Sequence, residues 1–188
     1  MLALLRYVAG VGVILCLSSS VAAMSVLPGS ASQRAQEAFE PRRGAAFADK
    51  VVVKKSQRRL YLMRDGEPFR TYRISLGANP LGHKERQGDS RTPEGRYVID
   101  WRNSRSKFYK SLHISYPNFD DRLSAQRKGW DPGGAIMIHG EPRGGRFAHL
   151  RDVVRYEDWT EGCIAVSNIA VDEIWRYVAD GTPIEIDP

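Results

Sequence analysis

The sequence predicts a mainly β domain with one or two helices. Its apolar residues fall mostly in short runs, rich in Val, Ile and Leu, that are separated by Gly, Pro and charged residues, a pattern typical of strands. The pair Asp65-Gly66 marks a hairpin, because Gly readily adopts the positive φ that a tight turn requires. Hydrophobic residues make up 42% and charged residues 27% of the chain, so a packed core is expected.

The first half of the domain is predicted to consist of strands joined by turns. Residues 50–54 are rich in valine, and residues 60–63 follow after a polar turn. Beyond the hairpin, residues 69–76 alternate loosely between apolar and polar positions. A loop rich in glycine, proline and charge covers 77–90, and a Thr-Pro-Glu-Gly turn then precedes a strand at 96–101.

The second half mixes strands with candidate helices. A possible helix covers 118–129, and a long polar loop covers 141–160. The predicted strands of this half are 112–115, 135–138, 163–166 and 184–186.

A second helix is predicted after Asn168. The side chain of Asn168 can accept from the first free amides of a helix, which makes it the expected N-cap. Gly181 is the expected end of the helix. The apolar residues at helical spacing are Val171, Ile174, Trp175 and Val178.

Residues 1–23 have the layout of a secretory signal peptide. An apolar run follows Arg6, and small residues at 21–23 suit cleavage after Ala23. An uncleaved membrane anchor is the alternative, although the apolar run is short for a span of about 20 residues. Residues 24–48 are predicted to be a flexible linker, and 49–188 the folded domain. Either reading places the domain outside the cytoplasm, in the periplasm or cell envelope.

Removal of residues 1–23 leaves one cysteine, Cys163. A single thiol in an exported protein is an inert buried residue, half of an intermolecular disulfide or a nucleophile. The whole chain carries a formal net charge of +6, which suits an acidic polymer of the cell wall. The basic residues are scattered and form no nucleic-acid motif, so nucleic acid is not an expected partner.

Cys163 follows Gly162, which allows a tight turn and a close approach of substrate. A thiol nucleophile requires a base, and His139 is the preferred candidate because it ends an apolar strand just before Gly140. The other histidines are His83, His113 and His149, for which a structural or solvated role is preferred, although His113 could face the cleft. A zinc site is disfavoured because no pair of these residues has ligand spacing, and no cofactor is expected.

Several short motifs lie in a fixed order along the domain. The motifs around the thiol and imidazole are Ile138-His139-Gly140, Thr160-Glu161-Gly162-Cys163-Ile164 and Asn168. The upstream pieces are Leu60-Tyr61, Asp65-Gly66, Ser75-Leu76-Gly77 and Thr92-Pro93-Glu94-Gly95. In this order they resemble the L,D-transpeptidase catalytic domain (YkuD-like) family over residues 49–187.

The resemblance implies a β-sandwich-like fold and a thioester mechanism on peptidoglycan stem peptides. Cys163 would attack the stem carbonyl, His139 would transfer protons, and the Gly140 carbonyl would orient the imidazole. Backbone amides of Gly162 and Cys163 would hold the oxyanion. The acceptor would be another stem or a wall-anchored protein, and carbapenem β-lactams would acylate the thiol. The residues expected to contact substrate are Thr160, Asn168 and His113.

Two residues depart from the family pattern. Glu161 stands where the family usually has His, and Ala165 where it usually has Arg, while the loop between His139 and Cys163 is longer than usual. These departures resemble a divergent branch, some of whose members hydrolyse protein–peptidoglycan links. A transpeptidase, a cysteine hydrolase and a non-catalytic wall-binding module therefore all remain open.

Overall fold

The structure is a computed structural model that describes residues 47–143 and 157–188. The predicted signal peptide and nearly all of the predicted linker lie outside these residues, as does His149. Within these two ranges, none of the helices combines the length and the apolar character needed to cross a membrane.

Eight strands and two helices make up the described chain, which confirms the mainly β fold class. In chain order they are β1 (Lys50–Lys54), β2 (Arg59–Arg64), β3 (Glu67–Arg73), β4 (Gly95–Ser106), β5 (Tyr109–Ile114), α1 (Phe119–Arg127), β6 (Met137–His139), β7 (Ile164–Ala165), α2 (Asn168–Tyr177) and β8 (Thr182–Asp187).

The strands form one mixed sheet in the order β3-β2-β1-β8-β4-β5-β6-β7. The pairs β1–β8 and β6–β7 are parallel, and the other neighbours are antiparallel. The two edges of the sheet meet, because Ser75, just after β3, exchanges two backbone hydrogen bonds of 2.9 Å with Ala165 of β7. This contact folds the sheet back on itself around a single core.

The core fills the inside of this curved sheet and is closed by α2. Alternate strand residues point inward, as a half-buried strand requires. Val171, Ile174 and Val178 of the predicted helical face are all buried, and Trp175 packs partly against them. Each fully buried aliphatic side chain stabilises the fold by about 1.5–3 kcal/mol. The largest fully buried side chains include Leu60, Leu62, Leu76, Ile99, Leu112, Ile114, Ile138, Ile164, Ile174, Ile184 and Ile186.

The N-cap predicted for the second helix is wrong by one residue. Ser167 caps α2, since its Oγ accepts from the Ala170 amide at 3.1 Å, and Asn168 is the first helical residue. The helix ends at Tyr177, before the predicted Gly181. Both Ser and Asn are good caps, and Asn168 is engaged elsewhere, as described below.

The β4–β5 hairpin is longer than predicted. Strand β4 continues to Ser106, and β5 already begins at Tyr109. The residues added at its tip are mostly polar, and all but Ser111 are exposed or half-buried, so the apolar pattern does not predict them. This projecting hairpin carries Phe108 at its turn.

Candidate active site

His139 ends strand β6 with its imidazole held by the following residue. Its Nδ1 lies 2.7 Å from the backbone oxygen of Gly140, which is the contact that the family resemblance implies. A carbonyl oxygen can only accept, so Nδ1 carries the hydrogen and Nε2 keeps its lone pair. The ring is therefore oriented as a proton acceptor through Nε2.

Two aromatic side chains enclose His139, which is only 3% exposed. The Phe108 ring lies 4.5 Å from the imidazole at an interplanar angle of 32°, and the Trp159 ring lies 5.8 Å away at 72°. Burial lowers the pKa of His139 to about 4, against the smaller opposing effect of the Gly140 hydrogen bond. The imidazole is thus neutral at neutral pH.

Gly140 leaves no room for a side chain. An added Cβ would come within 2.5 Å of Asn168 Oδ1 and 3.1 Å of Val171 Cγ1. The same Asn168 oxygen accepts from the Glu141 amide at 2.9 Å. Asn168 thus fastens the turn behind His139, and only its amide nitrogen is left for the predicted substrate contact.

Thr160 shapes the turn that presents the thiol. Its Oγ1 donates to the Cys163 carbonyl oxygen at 2.7 Å and accepts from the Gly162 amide at 3.1 Å. Thr160 is only 5% exposed and its hydroxyl is engaged within the turn, while its contact with substrate stays a prediction. The Gly162 amide, predicted as an oxyanion donor, makes its hydrogen bond to this hydroxyl, and the oxyanion roles of the Gly162 and Cys163 amides stay predictions.

Gly162 is required at its position for two reasons. Its φ of +128° lies in the region that disfavours side chains, and an added Cβ would meet the Arg91 carbonyl oxygen at 2.5 Å. The turn before Cys163 is therefore packed tightly against the loop that contains Arg91.

Cys163 is half-buried, and its thiol donates to the Ala135 carbonyl oxygen at a distance of 3.6 Å. Burial raises the pKa of the thiol, while a hydrogen bond from the Met137 amide and the positive charge of Lys84 lower it; the carboxylate of Glu161 raises it further. The neutral thiol therefore predominates at neutral pH, and a base is needed to generate the thiolate.

The parallel pairing of β6 with β7 brings the thiol and the imidazole to one face of the sheet. Ile138 pairs with Ile164 and both point into the core, whereas His139 pairs with Ala165. Strand alternation then places Cys163 and His139 on the opposite face. Cys163 is displaced from His139 by one strand across the sheet and by two residues along the strand direction, which corresponds to roughly 8 Å between their backbones.

His113 lies further along the same face, on β5. Its Nδ1 is 2.6 Å from Asp100 Oδ1, and its ring stacks on Trp101 with centroids 4.7 Å apart. By contrast, His83 accepts from the Glu94 amide and contacts Asp121, which places it in a polar network beneath α1.

Sequence analysis missed the aromatic residues that enclose the imidazole. Phe108 and Trp159 each lie in a mostly polar segment, where the apolar pattern gives no sign of a contact with another part of the chain. Their contact with His139 depends on the β4–β5 hairpin and the residues before Thr160 meeting in the folded protein.

Residues 48–186 match the sequence model of the L,D-transpeptidase catalytic domain, YkuD. The chain belongs to this family. This L,D-transpeptidase domain is 32% identical over 134 residues to YafK of Escherichia coli (strain K12), whose name as an L,D-transpeptidase is provisional. The match covers 68% of this chain and 46% of YafK, so the chain spans about half of that relative.

Two solved structures share the fold of this L,D-transpeptidase domain. The helical cell shape determining protein Pgp2 from Campylobacter jejuni superposes with a TM-score of 0.56 and 26% identity, covering 73% of this chain and 46% of Pgp2. An L,D-transpeptidase from Xylanimonas cellulosilytica superposes with a TM-score of 0.51 and 18% identity, covering 85% of this chain and 70% of that one.

Proposed function

We propose that this L,D-transpeptidase domain modifies peptidoglycan stem peptides through a thioester on Cys163. The observation that carries the proposal is the β6–β7 pairing, which brings an oriented, neutral His139 to the same face of the sheet as the one thiol of residues 47–143 and 157–188. A base with its lone pair on Nε2 and a thiol that is protonated at neutral pH supply the proton acceptor and the nucleophile that a thiol attack requires.

The first half-reaction forms the thioester. His139 Nε2 takes the thiol proton, and the Cys163 sulfur attacks the carbonyl carbon of the L,D peptide bond. The Cys163 amide stabilises the oxyanion, and one such donor accounts for about 3–4 kcal/mol of the barrier. The carbon–nitrogen bond then breaks, and the imidazolium returns its proton to the leaving amine of the terminal D-residue.

The second half-reaction transfers the acyl group to an acceptor. An amine of another stem or of a wall-anchored protein attacks the thioester carbon and releases the thiolate. Transfer of this kind would serve cell-wall biogenesis and cell shape, and the name of Pgp2 points in the same direction. The proposed location is the periplasm or cell envelope, where the substrate lies.

Hydrolysis is the second candidate because Glu161 places a negative charge close to the sulfur. An amine acceptor arrives as a cation and must lose a proton before it attacks the thioester, whereas water arrives neutral. By attracting the cationic form of an amine, the Glu161 carboxylate would favour transpeptidation. By accepting a hydrogen bond from a water molecule, the same carboxylate would favour hydrolysis. The two reactions share every step up to the thioester.

The test is incubation of the protein with purified tetrapeptide muropeptides, followed by mass spectrometry. Cross-linked dimers or exchanged D-residues indicate transpeptidation, and tripeptides indicate hydrolysis. The matched control is Cys163→Ala, which is nearly isosteric and removes only the sulfur. If the wild-type protein forms no product but binds the muropeptide, the domain is a binding module and the proposal is wrong.

A further inference from the structure

A cavity of about 400 Å³ lies beside the candidate active site. Trp159 lines the cavity, and the ring of the same residue lies 5.8 Å from the His139 imidazole. Gly140 and Ala165 also line it, and Ala165 pairs with His139 across β6 and β7. Small-molecule sites have volumes of about 300 Å³ and above. The cavity is therefore large enough to hold a group of the size of an amino acid next to the imidazole.

The sheet register places this cavity on the face that carries the thiol. Ala165 exchanges two backbone hydrogen bonds with Ser75 and pairs with His139 on its other side. Residues two apart on a strand point to the same face, so Cys163 shares the outer face with Ala165. The Cα atoms of these two residues are about 7 Å apart along the strand. A group bound in the cavity is therefore about one long side chain away from the sulfur.

The cavity has a cationic side chain on one wall and a carboxylate on another. Arg73 comes from the end of β3 on one side of β7, and Glu141 follows β6 on the other side. Extending the two pairings of Ala165 by two residues places both charged residues level with Ser167, which also lines the cavity. Two strand spacings, about 10 Å, separate their backbones. A ligand between them meets opposite charges on opposite sides.

The backbones of both charged residues are fixed by the fold. Arg73 pairs with Arg59 of β2, and the Glu141 amide donates to Asn168 Oδ1 at 2.9 Å. Trp159 adds apolar surface to the cavity. A largely preformed apolar wall with a few fixed polar groups is the usual composition of a small-molecule site.

The small side chain of Ala165 leaves the cavity open. The family pattern has arginine at this position, and a side chain of that length on the outer face would extend into the cavity. In this chain the guanidinium at the cavity comes from Arg73 on the neighbouring segment instead. The departure at Ala165 therefore provides space for a ligand and keeps a basic group beside that space.

We propose that this cavity binds an α-amino-acid group whose carboxylate and ammonium are both free. Arg73 binds the carboxylate, which matches the planar fork of a guanidinium, and Glu141 binds the ammonium. This inference rests on the proposed function and deepens it, because it names a group that the same site recognises. Two sources have this chemistry: a free amino acid, and the side-chain end of diaminopimelate in a peptidoglycan stem.

The test compares tetrapeptide muropeptides that have diaminopimelate or lysine as the third residue. Both side chains end in an ammonium, but only that of diaminopimelate also ends in a carboxylate. In Arg73→Gln, the KM for the diaminopimelate stem should rise roughly 10–100-fold, the effect of losing a hydrogen bond between charged groups, and kcat should be unchanged. The KM for the lysine stem should keep its wild-type value. Mass spectrometry of the products gives both constants.

Two further variants separate the charges and control for the loss of an arginine. Glu141→Gln should raise the KM for both stems, because both side chains end in an ammonium. Arg70→Gln is the matched control, since Arg70 also lies on β3 but contacts Glu173 at 3.9 Å, and neither residue lines the cavity. The KM values of Arg70→Gln should equal those of the wild-type protein.

A second arm of the experiment identifies the source of the amino-acid group. The lysine stem serves as the acyl donor, and D-methionine is supplied as a free acceptor. A rise in the KM for D-methionine in Arg73→Gln assigns the cavity to a free amino acid, whereas a rise confined to the diaminopimelate stem assigns it to the stem side chain. Wild-type KM values throughout, or equal rises for the two stems, would overturn the inference.

Binding to an inactive variant separates this inference from the proposed function. Calorimetry measures the Kd of the diaminopimelate muropeptide and of D-methionine for Cys163→Ala, with and without Arg73→Gln. If the wild-type protein forms no product but Arg73→Gln weakens binding, the proposed function is wrong and the assignment of the cavity stands. If product forms and neither KM nor Kd depends on Arg73, the proposed function stands alone. Absence of both product and binding would contradict both.

Discussion

The Cys163 sulfur is subject to opposing influences on its pKa. Burial and the Glu161 carboxylate raise it, whereas the Met137 amide and the Lys84 charge lower it. Lys84 is itself paired with Asp89 at 2.8 Å, which limits its effect on the thiol. Glu161, the exposed residue at the position where the family pattern has histidine, is therefore one of the charges that affect the pKa of the Cys163 thiol.

Replacement of Glu161 by glutamine should lower the pKa of the Cys163 thiol, because it removes a nearby negative charge and keeps the size of the side chain. The measurement is the rate of alkylation by iodoacetamide against pH, whose midpoint should move to lower pH. Glu157→Gln is the matched control and should leave the midpoint in place. A midpoint that rises in Glu161→Gln would contradict this account of the thiol.

Replacement of His139 by glutamine should slow carbapenem acylation of Cys163 by roughly 10²–10⁴-fold, the usual effect of removing a general base. In the wild-type protein, the acid limb of the acylation rate should have its midpoint near the His139 pKa of about 4, well below that of an ordinary histidine. Intact-protein mass gives the rate, and Cys163→Ala gives the background. Wild-type rates in His139→Gln would mean that another group is the base.

At the scale of elements, the β4–β5 hairpin determines the environment of His139. Arg143 stabilises its turn with two hydrogen bonds. The Arg143 backbone amide donates to the Lys107 carbonyl oxygen at 3.0 Å, and Arg143 Nη2 donates to the Tyr109 carbonyl oxygen at 2.7 Å. The turn places Phe108 against the imidazole. The hairpin is therefore one wall of the active site.

Replacement of Phe108 by alanine should open that wall and admit water to His139. The pKa of His139 should then rise toward its ordinary value of 6.5, because burial is the main cause of its low value. The acid limb of the acylation rate should move to higher pH accordingly. Phe119→Ala, at a phenylalanine that is 72% exposed, is the matched control. An unchanged acid limb in Phe108→Ala would show that Phe108 does not exclude water.

The elements that could be predicted from the sequence are stabilised by buried apolar side chains, whereas the elements that could not are stabilised by contacts with residues distant in sequence. Strands such as β1 and β8 have buried valine and isoleucine at alternate positions, so the pattern itself marks them. The tip of the β4–β5 hairpin is polar, and its pairing is fixed by neighbours distant in sequence.

The same distinction applies to the candidate site. Cys163, His139 and the Gly140 carbonyl were identified because they occur in contiguous motifs. Thr160 and Asn168 were predicted to contact substrate, and in the fold the Thr160 hydroxyl bonds to Gly162 and Cys163 while Asn168 Oδ1 accepts from Glu141, contacts that the motif alone does not predict. A motif names the residue types, but only the folded turn determines which partner each polar atom meets.

At the scale of the whole molecule, the buried imidazole links stability to pH. The ordinary pKa of histidine, 6.5, applies to the unfolded chain, whereas the folded protein holds His139 at about 4. Between these values the unfolded chain binds a proton that the folded protein does not. The stabilisation is thus complete above pH 6.5, is lost as the pH falls, and is gone below about pH 4.

The free energy of unfolding of the wild-type protein should therefore fall by about 3 kcal/mol from this residue between the two pKa values. His139→Gln lacks the titration, so its stability should decline less over the same range. Urea unfolding at pH 7 and at a pH near 4 measures both proteins, and other titrating groups contribute equally to each. Parallel declines would show that His139 is not buried as described.

The order of strands has a consequence for when this domain can fold. Strand β8 is the last in sequence, but it lies in the middle of the sheet between β1 and β4. Until residues 182–187 have left the ribosome, β1 and β4 lack the strand that both pair with, and the core that β8 lines cannot close. Such long-range pairing folds slowly. The domain therefore stays open until these residues have emerged, and an unfolded chain is the state that a translocation channel requires of the exported protein proposed here.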